Sequence, residues 1–268
     1  MIWGRKETVR VLWNESIAEV TSYLDHSEDQ TPVAVCTLLV NRQEPWLRPA
    51  PDFFRYLMRR DATQLRFDDC RYSLILPNGG VARYAFPGTA PVDQFASRFL
   101  TPWLDGATPI QDRPLSPDNA LLRVDFRQSL ATKLEQLAFT PVDFGRAAEL
   151  IGYELPGLGP RPGQPIVLVT WWRVKAGLSP DLTMFVHLLR DERIVAQQDL
   201  FSVMPDTLQP GDVFAQVHEF IHVPPDAQPG DYALAIGLYD TVTGQRLTIY
   251  DGQAVRGDRL ALTTVCIP

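Results

Sequence analysis

The chain has 268 residues, enough for two ordinary domains each with its own core. A hydrophobic share of 45% beside 21% charged residues is the make-up of a globular protein and excludes wholesale disorder and fibrous repeats. The net charge of −7, with no run of lysines or arginines, excludes a dedicated nucleic-acid surface, because phosphate binding needs a basic face.

The N-terminus MIWGRKETVRVLW lacks the apolar core of a signal peptide, and no stretch of the chain approaches the roughly 18–20 apolar residues that span a bilayer. Asn14 is a good N-cap for ESIAEVTSYLDHS, in which Ile17, Val20 and Tyr23 or Leu24 recur at helical spacing. Asn14-Glu15-Ser16 also fits an N-glycosylation acceptor, and capping is the reading adopted. PVAVCTLLV follows as a β-branched run typical of a strand buried on both faces. A second helix is predicted from Pro51 over PDFFRYLMRR, with arginines near its C-terminal end where they suit the helix dipole. LRFDDC, RYSLILP and VARYAF read as short strands, the last two parted by Asn78-Gly79-Gly80. Helices alternating with strands point to a small α/β layer domain.

TPWLDGATPIQDRPLSPDN, with prolines at 102, 109, 114 and 117, can continue neither a helix nor a central strand. The domain boundary is placed there, giving residues 1–115 and 116–268. Beyond it the helical period all but vanishes, apart from a short turn around TKLEQL. LLRVDF, AAELIGYEL, PIVLVTWWRV, LTMFVHLL, RIVAQQDL, VHEFIHV, DYALAIGLYD, QRLTIY and LALTTVCI are strand-length and separated by turn residues such as Pro210-Gly211-Asp212 and Thr243-Gly244. The fold class expected is α+β in two domains: the small α/β layer, then an antiparallel β-sandwich of jelly-roll or immunoglobulin-like type. Cys36, Cys70 and Cys266 are too few for a disulfide scaffold and wrongly spaced for zinc. One disulfide, Cys36 to Cys70 by preference, and three buried thiols both stay open.

His187, in FVHLLRDERIVAQQD, is the first candidate side chain. On a strand it shares a face with Phe185 and Leu189, while Met184, Val186 and Leu188 share the other. A turn centred on Asp191-Glu192 sets His187 across from Ala196 and Phe185 across from Gln198. No metal is expected. His218 and His222 are four apart on a strand, about 13 Å at 3.3 Å each, too far for one ion. The GxSxG elbow, GxGxxG, GxxxxGK[ST] and DxD patterns are absent, and Asp68-Asp69 point to opposite faces of a strand. No catalytic residue and no cofactor is therefore assigned. Adjacent Trp171 and Trp172 must face opposite ways on a strand, and an outward tryptophan beside polar groups is a common sugar-stacking arrangement. The ligand-binding candidates are Trp172, His187, Tyr239, Asp240 and Arg246, with Asp199 as a further polar partner. The alternative is that both tryptophans are covered and His187 belongs only to the sheet.

Five segments in order, ELIGYEL, PGQPIVLVTWWRV, MFVHLLRDERIVAQQD, LQPGDV and VPPDAQPGDYALAIGLYDTVTGQRL, resemble the β-sandwich appended to bacterial membrane glycosyltransferases of the protein O-mannosyltransferase type, which use a lipid-linked sugar. The resemblance covers roughly residues 140–265, and LRFDDCRYSLILPNGGVARYAFPG resembles the stretch preceding that sandwich. Where the family commonly has Asp-Gly in a hairpin turn, this chain has Arg190-Asp191-Glu192-Arg193. The family's transfer chemistry belongs to acidic residues in loops between membrane helices, so none carries over to this chain. The resemblance implies an extracytoplasmic, non-catalytic accessory module, with a glycan or polypeptide acceptor and the membrane-embedded part of a parent enzyme as partners. The other readings are a purely structural or protein-interaction domain and an independent carbohydrate-active enzyme. In the matched part, Gly237 is expected to leave room for Trp172 on a facing strand, and Asp240 with Gly244 to shape the turn before Arg246.

Overall fold

The structure, a computed structural model, describes residues 3–37, 50–59, 65–88, 98–111, 114–157 and 159–268. Chain contacts divide it into two compact units: Met1–Ala131 with Ser202–Thr207, and Thr132–Phe201 with Leu208–Pro268.

In the first unit, helix α1 (Trp3–His26) begins well before its expected start, so Asn14 lies inside the helix and does not cap it. Asparagine costs only a fraction of a kcal/mol in a helix interior, and no proline occurs before Pro32 to stop the helix. The expected apolar period is in place, with Ile17, Val20 and Leu24 buried. They join the core formed by β1 (Val33–Cys36), Phe54 of α2 (Ala50–Leu57) and Phe67 of β2 (Leu65–Asp68). Every residue of β1 is buried, as a central strand covered on both faces should be. The rest of the PVAVCTLLV run, residues 38–40, lies outside the described residues.

After β3 (Ser73–Leu76) and a turn with Asn78 and Gly79 at positive φ comes β4 (Val81–Phe86). β1 runs parallel between β2 and β4. β6 (Ala120–Asp125) pairs antiparallel with β4 over all six residues, and the two-residue β5 (Thr108–Pro109) closes that edge. LLRVDF thus belongs to the first sheet and not to the sandwich. The proline-rich stretch is a connection inside the first unit, its Pro109 tolerated on an edge strand. The division falls instead within α3 (Arg127–Leu137), an eleven-residue helix where a short turn was expected. A disulfide joins Cys36 to Cys70, with Cα atoms 5.5 Å apart, while Cys266 is free and exposed.

The second unit is two antiparallel sheets. One runs β15 (Ala254–Gly257), β14 (Ile249–Asp251), β7 (Val142–Phe144), β8 (Ala148–Glu154), β9 (Pro165–Val174) and β12 (Val213–His222). The other runs β11 (Arg193–Asp199), β10 (Leu182–Arg190), β13 (Gly230–Asp240) and β16 (Leu260–Ile267). The sheets bury complementary apolar faces: Leu182, Met184, Val186 and Leu188 from β10, and Trp172 and Phe214 from β9 and β12. The chain is therefore α+β, a mixed sheet with helices followed by sandwich-like antiparallel sheets. β7 and β15, three and four residues long, were not recognised in the sequence.

Candidate functional site

The site is built around Phe185, on the face of β10 opposite its apolar row. Two local features put it there. The β10–β11 turn holds Asp191 and Glu192 at φ 49° and 64°, both left-handed, as a two-residue hairpin turn of type I′ requires. Then the register shifts: Leu189 pairs with Ile194 but Leu188 with Ala196, leaving Val195 as an extra residue. His187 therefore lies opposite Gln197 and Phe185 opposite Asp199, each one residue from the expected Ala196 and Gln198. A one-residue slip exchanges the faces of a strand. Here it brings the Asp199 carboxylate to the Phe185 side and sends Gln198 into the interior, where its Nε2 has no hydrogen-bond partner among the described residues.

The Phe185 ring stacks on His187 with centroids 4.4 Å apart, lies 6.1 Å from the Tyr239 ring, and carries the Arg246 guanidinium 4.6 Å from its centroid. Across the strand pair stands Gly237, and a Cβ there would fall 2.2 Å from Phe185 Cζ and 2.9 Å from the Asp258 carbonyl oxygen. The glycine makes room for Phe185, not for Trp172 as expected. Tyr239 donates its hydroxyl to Asp199 Oδ2 at 2.8 Å. Arg246 faces Asp258 at 3.6 Å, and Arg259 pairs with Glu192.

Burial pushes the His187 imidazole below its ordinary value; Arg246 and Arg259 push the same way, and Asp199 opposes them. The ring is neutral at neutral pH, and its buried Nδ1 has no hydrogen-bond partner among the described residues. Burial, and then the hydrogen bond to Asp199, push the Tyr239 phenol up to about 12, so it stays a donor.

Asp240 acts from behind. It pairs with Leu182 and so points to the face opposite Tyr239. Its Oδ1 accepts from the backbone N–H groups of Val242 and Thr243 and from the Thr243 hydroxyl, at 2.9–3.1 Å, and these backbone donors hold the carboxylate below its ordinary pKa. Gly244 follows at φ 71°, and the turn returns Arg246 to a bridge beside Tyr239. The expected role of Asp240 and Gly244 in shaping this turn is what the structure shows. Asp240 Oδ2 accepts from Ser179 Oγ beside a cleft of ≈ 380 Å³ walled by Leu178, Leu182, Thr243 and Leu247.

Trp172 stands apart from the other candidates. It is fully buried between Phe144 at 5.0 Å and Phe214 at 6.4 Å, with its Nε1 donating to Thr170 Oγ1, so it offers no ring face to a sugar. Trp171, on the other face of β9, is also covered. Helix α3 lies there: Lys133 pairs with Glu154, which accepts from Trp171 Nε1, and Leu137 fills the space over Gly152, the residue opposite Trp171.

His187, Tyr239 and Arg246 are thus brought together, Asp240 supports them, and Trp172 is elsewhere. The reading of the sequence did not single out Phe185, Asp258 or Arg259. The one signal for Phe185 was Gly237, whose missing side chain must be compensated by a large neighbour. Among the described residues no three histidine, cysteine or acidic side chains cluster as a metal site. His218 is fully buried while His222 is exposed.

No known family model and no curated protein matches the sequence. Among solved structures, the crystal structure of the C-terminal domain of Wzt is similar at a TM-score of 0.35 and 14% identity, over 47% of this chain and 77% of that one. Among the described residues no helix is long and apolar enough to cross a membrane.

Proposed function

We propose that the second unit is a non-catalytic glycan-binding module, the extracytoplasmic accessory part of a membrane glycosyltransferase of the protein O-mannosyltransferase type. The observation that carries the binding is the group on one sheet face of aromatic rings, a guanidinium, a neutral imidazole and a hydrogen-bonded carboxylate: Phe185, Tyr239, Arg246, His187 and Asp199. Sugars are held where apolar ring faces meet polar groups that match hydroxyls. The transferase setting is supported by the five ordered segments of resemblance. The extracytoplasmic setting is supported by the Cys36–Cys70 disulfide, since such bonds persist in oxidising compartments.

One observation favours the scaffold reading instead: Phe185 and His187 are only 1% and 4% exposed, so the floor of the face is already covered. Calorimetric and NMR titration of the full chain with a panel of oligosaccharides separates the two. Saturable binding that shifts signals of Tyr239, Arg246 and His187, and weakens in Arg246→Ala, supports the module. Absence of saturable binding across the panel leaves the scaffold.

A further inference from the structure

Six residues from the second half of the chain, Ser202–Thr207, belong to the first unit. They lie as an antiparallel strap along β2, the edge strand of that unit's mixed sheet. The bridge between Asp68 and Val203 is flanked by two backbone bonds: the Met204 N–H donates to Phe67 O at 2.8 Å, and the Asp69 N–H donates to Ser202 O at 2.7 Å. Further on, the Thr207 hydroxyl accepts from the Phe67 N–H at 3.3 Å and donates to Met204 O at 2.8 Å. Ser202, Val203 and Met204 are buried, and Met204 joins the core of Phe54 and Phe67. The strap thus satisfies backbone groups that an edge strand leaves unpaired.

The first anchor of this strap stands on the disulfide. Ser202 O takes two donors, the Asp69 N–H and the Ser73 hydroxyl, at 2.7 and 2.8 Å. Both donors belong to one turn, closed by the Tyr72 and Ser73 N–H groups on Asp69 O. Cys70 sits within that turn and is bonded to Cys36 of β1, the strand beside β2. The disulfide therefore holds the two donors in place before the strap arrives. A single bridge is a short ladder beside the six residue pairs of β4 and β6, so the strap depends on this preset anchor more than the sheet does. We propose that the Cys36–Cys70 disulfide is a redox lock on the Ser202–Thr207 strap. A dithiol reductant gives two electrons and two protons to the S–S bond and itself closes to a disulfide. Two thiols are left, the Asp69–Ser73 turn is freed, and the strap leaves β2 while β4 and β6 stay paired. The lock is independent of what the second unit binds.

The test is amide hydrogen exchange of the full chain, oxidised and after reduction by dithiothreitol, with thiol titration to verify the reduction. The Met204 and Thr207 amides are expected to exchange at least about tenfold faster once the bond is reduced, and at least about tenfold faster than the β4 and β6 amides of the same reduced chain. Strap amides as protected after reduction as before overturn the lock. So do β4 and β6 amides that exchange as fast as the strap, because the bond then holds the whole unit and not the strap. A second measurement approaches from the other side. Thr207→Val removes the hydroxyl shared by the Phe67 N–H and Met204 O. Coupling is reciprocal, so a weakened strap favours the dithiol form, and the equilibrium constant for reduction in a dithiothreitol buffer is expected to rise about fivefold. An unchanged constant overturns the proposal, whether or not the reduced chain stays folded.

Discussion

Lowering the pH from about 8 to about 4.5 is expected to loosen the sheet around His218 by about 3 kcal/mol. His218 lies in β12 with none of its surface exposed, its Nε2 3.3 Å from Thr170 Oγ1 and its Nδ1 without a hydrogen-bond partner among the described residues. Burial alone pushes its imidazole down to about 3, against about 6.5 in the unfolded chain. The folded value is depressed, so the stability that the neutral ring contributes is fully present above about pH 6.5. It is lost as the pH falls towards about 3, because the unfolded chain takes up a proton that the folded one refuses. At about pH 4.5 the unfolded ring is two units past its midpoint, and about 1.4 kcal/mol per unit gives the figure above.

The assay is hydrogen exchange of peptides from β9 and β12, corrected for the intrinsic pH dependence of amide exchange, because it reads opening of this sheet alone. That separation matters: Asp68, in the first unit, is pushed well up by burial, so its contribution to stability grows as the pH falls. His218→Leu removes the titrating group and keeps the volume filled. It is expected to abolish the extra opening between the two pH values. A variant with the same pH slope as the parent, or a His218 imidazole NMR signal titrating near about 6.5, refutes the reasoning.

Gly237→Ala places a methyl group 2.2 Å from Phe185 Cζ and 2.9 Å from a backbone oxygen; it is expected to cost about 1–3 kcal/mol and to displace Phe185, measurable by thermal unfolding and by shifts of the Phe185 and Arg246 NMR signals. Removing the disulfide in a Cys36→Ser, Cys70→Ser double variant opens a 34-residue separation. The expected loss is about 4 kcal/mol by chain entropy, read as faster exchange in β1 and β2, and unchanged exchange there contradicts it. Trp172→Phe is expected to lower stability by about 1–3 kcal/mol with saccharide Kd unchanged; a folded variant that loses binding would return Trp172 to the site.

Much of the second unit is legible because strand grammar is local. Turn residues bound β9, β10, β11, β13 and β16, and alternation assigns Met184, Val186 and Leu188 to one face. Asp191-Glu192 was found as the turn because a charged pair between two apolar runs has nowhere else to go. What failed was nonlocal. LLRVDF carries no mark of the sheet it joins, since a half-buried antiparallel strand reads alike in either unit. One of the two adjacent tryptophans was expected to face outward, with Trp172 taken as a ligand contact; Trp172 faces the interior, and Trp171 is covered by a helix, RQSLATKLEQL, whose weak apolar stripe and single buried residue, Leu130, give little sign of it.

The site shows the same division at the scale of one residue. Its members were chosen for their chemistry, and His187, Tyr239 and Arg246 do converge. The residue that gives this face its hydrogen-bonded carboxylate, Asp199, arrives by the bulge at Val195, and nothing in RIVAQQD distinguishes a valine that pairs from one that does not. With the regular register Gln198 would lie beside Phe185, and Asp199 would turn towards the apolar row, where an unpaired carboxylate is costly. The cost of burying Asp199 there and the gain of its bond to Tyr239 act in one direction, so the bulge follows from the polar sequence at the end of β11, and with it the anionic character of the face.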